Sequence, residues 1–368
     1  MRKGIRYLLT LSVFIALASC RKETPWNENL ATTDQLRFIA DSIIQTTKVP
    51  GIVALVVDKK RGINWMYTGG VANLSDKTPM NGGYVFRIGS NTKTFVGTVL
   101  LQLVEEGKMS LDDKVSKYFP NYPKADAVTV AMLCNMTSGI PDYTRNALWG
   151  NVMEATPAKR WTPQELMTWA FSENFLFEPG SEFRYSNSNT ILLGMIIEKV
   201  TGNSLETEIR QRITQPLQLT QTALITSGTG FPGPHTRGYY EGSFVAGNDQ
   251  TEQYDYSYIW AAGSAYSTPR ELQRYVEALV SGELLSPAMQ RKRLETMREL
   301  APRLAYGLGL FRRGSFYGHN GTVTGYTSSM YHSNLHDCTV IIYFNSMLEL
   351  HPDYLFERFM SMLYGSGY

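Results

Sequence analysis

Beta-rich apolar runs stand at both ends of this chain and helical patterns fill its middle, an order that few folds satisfy. Near the start, Ile52–Val57 and Ile63–Thr68 are short runs split by Asp58-Lys59-Lys60-Arg61-Gly62, which reads as a hairpin turn. Near the end, Tyr306–Phe311, Ser315–His319, Gly325–Tyr331 and Thr339–Phe344 read as strands. Between about residues 108 and 255 strands are scarce, and Thr129–Met136, Thr162–Phe171, Thr190–Val200 and Leu205–Arg212 carry helical patterns. Two more helices, Thr268–Leu279 and Ser286–Met297, open on Ser or Thr followed by Pro, the preferred cap and first-turn residues. Thr33–Thr47 and Tyr354–Leu363 are apolar at helical spacing. The predicted fold class is α+β: an antiparallel sheet built from both ends of the chain and flanked by the terminal helices, with an all-helical lobe inserted. A cleft between two such lobes is a natural active site.

The first 19 residues are of a different kind. Arg2, Lys3 and Arg6 precede the apolar run Leu8–Ala18, too short to span a bilayer, which is the pattern of a signal peptide. It ends Leu17-Ala18-Ser19-Cys20, similar to the bacterial lipobox, in which Cys20 becomes the lipidated first residue. The predicted organisation is a signal peptide over 1–19, a polar tether over 20–32 and a hydrolase domain over 33–368. Processing would remove three of the 35 Lys and Arg and none of the 33 Asp and Glu, leaving 32 against 33. A near-neutral product argues against nucleic acid as a partner. Membrane contact is expected through the lipid on Cys20 only, with the protein exported to the bacterial cell envelope. Cys134 and Cys338 lack C-x-x-C spacing and sit in apolar surroundings, so they read as buried, inert thiols. His332 and His336 are four apart but not on a helix, and neither a metal site nor a cofactor is expected.

The chemistry centres on Ser90 and Lys93. From Thr92 to Glu106 the residues Phe95, Val96, Val99, Leu100, Leu103 and Val104 recur at helical spacing, so Ser90 stands at a helix entrance. Residues three apart share a helix face, which brings the Lys93 ammonium beside the Ser90 hydroxyl. The unpaired N–H groups of a helix start favour negative charge developing there. Ser-x-x-Lys is short, however, and recurs at Ser19-Cys20-Arg21-Lys22, so its meaning depends on the rest of the chain. Tyr185-Ser186-Asn187 follows the turn Pro179-Gly180 in the helical region, and a tyrosine beside a lysine gives up its proton more readily. Gly318-His319-Asn320-Gly321-Thr322 lies at the start of a strand, where a glycine lets substrate approach and an edge can pair with an extended acyl chain.

Ser-x-x-Lys, Tyr-x-Asn and His-x-Gly in this order resemble the motifs of the penicillin-recognising serine hydrolases. The chain is most similar to the branch containing class C beta-lactamases, D-alanyl-D-alanine carboxypeptidases and related esterases. Met136–Tyr143, Phe177–Gly202 and Ala261–Thr268 also resemble recurrent segments of that branch. The resemblance implies a beta-lactamase-like, transpeptidase-like fold and acyl transfer through Ser90, with no cofactor. It implies Lys93 and Tyr185 as the proton-shuttling pair, either one being the acylation base, with His319 as the third motif's catalytic residue. Asn187 would bond substrate or Lys93, Asn320, Gly321 and Thr322 would line the substrate site, and the backbone N–H groups of Ser90 and Thr322 would form the oxyanion hole.

His319-Asn320-Gly321 stands where class C beta-lactamases carry Lys-Thr-Gly. The expected activity is therefore that of a carboxypeptidase-like peptidase, or a related esterase or amidase, acting on a small molecule or a peptidoglycan-like peptide. The alternatives are a beta-lactamase and a penicillin-recognising sensor that does not turn over. The turn arginines Arg312 and Arg313 read as solvated, with an anion anchor as the other reading.

Overall fold

The computed structural model describes residues 31–240, 248–347 and 350–368. Residues 1–30, with the predicted signal peptide and the predicted lipid-attachment residue Cys20, lie outside the described residues. One eight-stranded sheet forms the frame, every neighbouring pair antiparallel. Its order is Ile63–Gly70, Gly51–Asp58, Cys338–Phe344, Tyr326–Ser333, Phe316–Val323, Leu310–Arg313, Leu304–Gly307 and Arg298–Ala301. The two ends of the chain meet inside it: Ile52 pairs with Phe344 and Asp58 with Cys338.

Successive strand residues face opposite sides. On Gly51–Asp58, Ile52, Ala54 and Val56 pack with Leu36, Ile39, Leu355, Phe356 and Phe359 of the terminal helices Thr32–Thr46 and Pro352–Tyr364. Val53, Leu55 and Val57 join the second core, shared with the helical region. All eight residues of this strand are buried, which explains why its sequence is a continuous apolar run rather than an alternation. Cys134 and Cys338 are free, buried thiols, each pushed up to about 12 by burial.

Thr129, Thr162, Thr268 and Ser286 cap their helices with side-chain oxygens, as their sequence positions suggest. Four elements depart from expectation. Tyr306–Phe311 is not one strand: the chain reverses at Leu308-Gly309, both at positive φ, and pairs Gly307 with Leu310 as a hairpin. The helix expected from Thr190 begins at Asn187, which places that asparagine in its first turn. Ala147–Ala155 and Trp260–Gly263 are helices that the sequence pattern did not mark.

Candidate active site

A tight 3-10 turn, Gly89–Asn91, leads directly into the helix Thr92–Glu105. Gly89 holds φ +52°, and a β-carbon there would lie 2.7 Å from the Thr322 nitrogen, so only glycine lets this turn approach the strand Phe316–Val323. Gly321 is required for the same packing. Its β-carbon would meet the Ile88 carbonyl at 2.0 Å. The expectation that this glycine makes room for substrate is replaced by one in which it makes room for the Ser90 turn.

Ser90 is partly exposed, and Lys93 is buried beneath it. Lys93 Nζ lies 2.9 Å from Ser90 Oγ, 2.8 Å from Asn187 Oδ1 and 2.7 Å from the Ala262 carbonyl. The last two partners only accept. A neutral amine gives them its two N–H groups and leaves its lone pair toward the serine hydroxyl, an arrangement suited to proton abstraction. Burial pushes the Lys93 pKa down to about 7, against an opposing pull from Asp142. Asn187 is fully engaged: its amide nitrogen donates to Asp142 Oδ2 at 3.2 Å and Thr144 Oγ1 at 3.1 Å. Of the two expected partners for Asn187, substrate or Lys93, the structure pairs it with Lys93.

Tyr185 behaves differently from the sequence expectation. Lys93 Nζ stands 5.0 Å from the centre of its ring rather than at its hydroxyl. Burial pushes the phenol well above its usual range, outweighing the lowering pull of Ser90. Its buried hydroxyl faces Ser90 but closes no hydrogen bond of full geometry among the described residues. Desolvation thus wins over proximity to a cation, and of the two candidate bases Lys93 is the one poised near neutrality. If Lys93 takes the Ser90 proton, kcat/KM for an ester substrate should rise about tenfold per pH unit below about 7 and level off above. A profile flat from pH 5.5 to 8.5 would exclude that role.

His319 is fully buried against Phe311, Tyr306 and Tyr185, with ring centres 4.8, 5.9 and 6.0 Å away. Its Nδ1 lies 2.5 Å from the Asn320 carbonyl, which can only accept, so Nδ1 carries the proton and Nε2 is a bare acceptor. Burial, then Lys93, push its pKa down to about 3, and the ring is neutral at working pH. Asn320 itself points away from Ser90. Because strand neighbours alternate, its side chain faces the C-terminal helix, where Nδ2 donates to Asp353 Oδ2 at 2.6 Å. Its expected contact with substrate is replaced by this tether. The same carboxylate takes Arg313 Nη2 at 2.7 Å, so Arg313 is a half-buried partner of Asp353 and not a freely solvated turn residue. Arg312 pairs with Glu299.

The backbone of Thr322 meets expectation in position. The two-residue turn Thr324-Gly325 makes Val323 and Tyr326 the closing pair, so main-chain groups of His319, Gly321 and Val323 serve the neighbouring strand. Those of Asn320 and Thr322 turn outward, beyond Gly318, where the strand Leu310–Arg313 stops pairing. The edge expected from sequence therefore exists only from His319 onward, and the Ser90 turn occupies it.

The structure brings together Ser90, Lys93, Tyr185, Asn187 and His319, with the Gly321-Thr322 backbone alongside. Sequence reasoning assigned no role to Asp142 or to the Ala262 carbonyl. Asp142 sits within the Met136–Tyr143 segment, while a main-chain acceptor leaves no sequence signal.

An α+β fold of this topology with a serine and a lysine joined at a helix start defines a serine hydrolase of the acyl-enzyme type. The chain belongs to the beta-lactamase family, whose model matches residues 37–355. Its fold is similar to a D-stereospecific amidohydrolase from Streptomyces sp., with TM-score 0.80 and 29% identity, covering 90% of this chain and 99% of that one. It is similar to the D-amino acid amidase from Ochrobactrum anthropi SV3 complexed with D-phenylalanine, with TM-score 0.80 and 27% identity, covering 91% and 99%. Protein flp of Staphylococcus aureus (strain COL) is 28% identical over 252 residues, 66% of this chain and 48% of the relative, so the chain spans about half the length of that relative.

Proposed function

We propose that this chain hydrolyses amides and esters whose leaving group carries no carboxylate, with D-aminoacyl amides foremost. The observation that carries this reading is His319: where class C beta-lactamases place a lysine, this site has a neutral, acceptor-bearing ring. The two arginines that pair in register with that strand are engaged, Arg312 with Glu299 and Arg313 with Asp353. Among the described residues the strand Phe316–Val323 itself offers no cation to a substrate carboxylate, and burying an unpaired charge is costly. Asp142 acts electrostatically on both Lys93 and Tyr185 and favours a substrate ammonium nearby. The two amidohydrolase neighbours named above support the same class.

In this reading neutral Lys93 takes the Ser90 proton while Oγ attacks the carbonyl carbon. The oxyanion is held by the N–H groups of Ser90 and Thr322, donors of a kind worth about 3 kcal/mol each. The Lys93 ammonium returns its proton, directly or through Tyr185 Oη, to the departing amine or alcohol. Water then attacks the acyl-enzyme and restores Ser90 with release of the acid. Export as a lipoprotein on Cys20 belongs to the same proposal, supported by Leu17-Ala18-Ser19-Cys20.

The test is a panel of D-phenylalanine amide, its L-enantiomer, a D-alanyl-D-alanine peptide and benzylpenicillin, run on wild type and His319→Lys. Wild type is expected to turn over the D-amide at least about tenfold faster than the carboxylate-bearing substrates. His319→Lys should narrow or invert that ratio. Faster turnover of the D-alanyl-D-alanine peptide by wild type would reject the proposal.

A further inference from the structure

A further contribution to this site comes from the segment that leads into Ala261–Thr268. Residues 255–263 run past Ser90 and the turn Thr324-Gly325 together. Tyr256 Oη donates to the Thr324 carbonyl at 3.2 Å, and Tyr258 Oη lies 2.9 Å from Thr324 Oγ1. Further along, the Ala262 carbonyl accepts from Lys93, and a methyl group added at Gly263 would stand 3.6 Å from the Gly89 carbonyl carbon. Between these contacts Trp260 is held at φ +25°, which non-glycine residues rarely adopt. The segment is anchored at its start, where Asp255 accepts from the Gly228 and Ser257 nitrogens.

Arg87 completes the connection from the other side. It lies three residues before Ser90, is fully buried, and has no carboxylate partner among the described residues. Its guanidinium is sandwiched by two rings, 3.3 Å from the centre of Tyr256 and 4.1 Å from that of Phe231. Nη2 donates to the Thr229 and Thr251 carbonyls, while Nε and Nη1 have no partner among the described residues, so the charge is held largely by the ring faces. The same Tyr256 is stacked on the approach to Ser90 through its ring and bonded to the approach to Thr322 through its hydroxyl.

We propose that Tyr256 and Tyr258 are positioning residues that set the spacing of the two oxyanion donors, the Ser90 and Thr322 N–H groups. This rests on the acyl-enzyme reading above. Two preorganised donors stabilise the transition state only when both point at the same oxygen. Ser90 and Thr322 lie in separate elements, and Arg87, Tyr256 and Thr324 link them through stacked and bonded groups rather than through solvent-exposed loops.

The test compares wild type with Tyr256→Phe, Tyr258→Phe and the double variant, each keeping its ring and losing a hydroxyl. The probe is an aryl boronic acid, which bonds Ser90 Oγ and places a boron-bound oxygen where the oxyanion forms. The double variant is expected to lose about tenfold or more in boronic acid affinity and the same factor in kcat/KM, less than removal of a donor outright. KM for the amide and the pH limb near 7 should stay in place, since Lys93 is not touched. Thr324→Val, which removes only the Tyr258 partner, should match Tyr258→Phe and guards against a folding defect in the ring variants. Boronic acid affinity unchanged in the double variant, or a moved pH limb, would overturn the proposal. Failure of the boronic acid to inhibit wild type would instead bring down the acyl-enzyme reading and this proposal with it.

Discussion

Ser90→Ala is expected to lower kcat for any amide or ester substrate by roughly 10⁴-fold or more, the scale seen when a nucleophile is removed from a coupled set. The loss should be purely chemical. Ser90 is partly exposed, and its side chain contributes one hydrogen bond, to Lys93, so its removal should shift stability by no more than about 1 kcal/mol. Circular dichroism and thermal melting should therefore be near wild type while hydrolysis is absent. Ser186 cannot stand in, because it is fully buried and its hydroxyl has no base beside it among the described residues. Retention of a tenth of wild-type activity would place the nucleophile elsewhere.

Lys93→Met is expected to cost roughly 10³ to 10⁴ in kcat/KM, the range for loss of a general base, and to erase the limb near pH 7. If Tyr185 were the base, the variant would keep activity and show a limb only far into the alkaline range, since burial raises that phenol. The same substitution carries a stability signature with a definite sign. The folded Lys93 pKa, about 7, lies below its ordinary value of 10.5, so the unfolded chain binds more protons between those values. Stability of wild type should consequently increase with pH across that window, by about 2 kcal/mol from pH 7 to 9 relative to Lys93→Met, and the penalty is fully present below pH 7. Urea denaturation of the two proteins at both pH values measures it. A difference independent of pH would contradict the depressed pKa.

Much of this was readable from residue order. The apolar run Ile52–Val57 and the closing runs Gly325–Tyr331 and Thr339–Phe344 were strong candidates to pair, because each is too apolar to face water and the long stretch between residues 108 and 255 is mainly helical. Ser90 and Lys93 needed only helical geometry to be brought together, and the structure places them 2.9 Å apart. The third motif was harder. Alternation along a strand already implies that His319 and Asn320 face opposite sides, yet what Asn320 meets depends on Asp353, brought in by the C-terminal helix. Arg313 was misplaced for the same reason: its carboxylate partner is 40 residues away in sequence. The glycine pair around Leu308 was a visible sign of the extra hairpin. Tyr185 failed on magnitude rather than position, since proximity to Lys93 is legible in a motif while the depth of burial that overrides it is a property of the assembled core.

The most direct test of the Ser90–Lys93 chemistry is rapid-quench mass spectrometry with the p-nitrophenyl ester of a D-amino acid, where a good leaving group lets the acyl-enzyme accumulate. Within the first turnover the intact protein should gain the mass of one acyl group, peptide mapping should locate it on Ser90, and its rate of formation should rise through pH 7. Full hydrolysis with no adduct, or an adduct on any other residue, would contradict it.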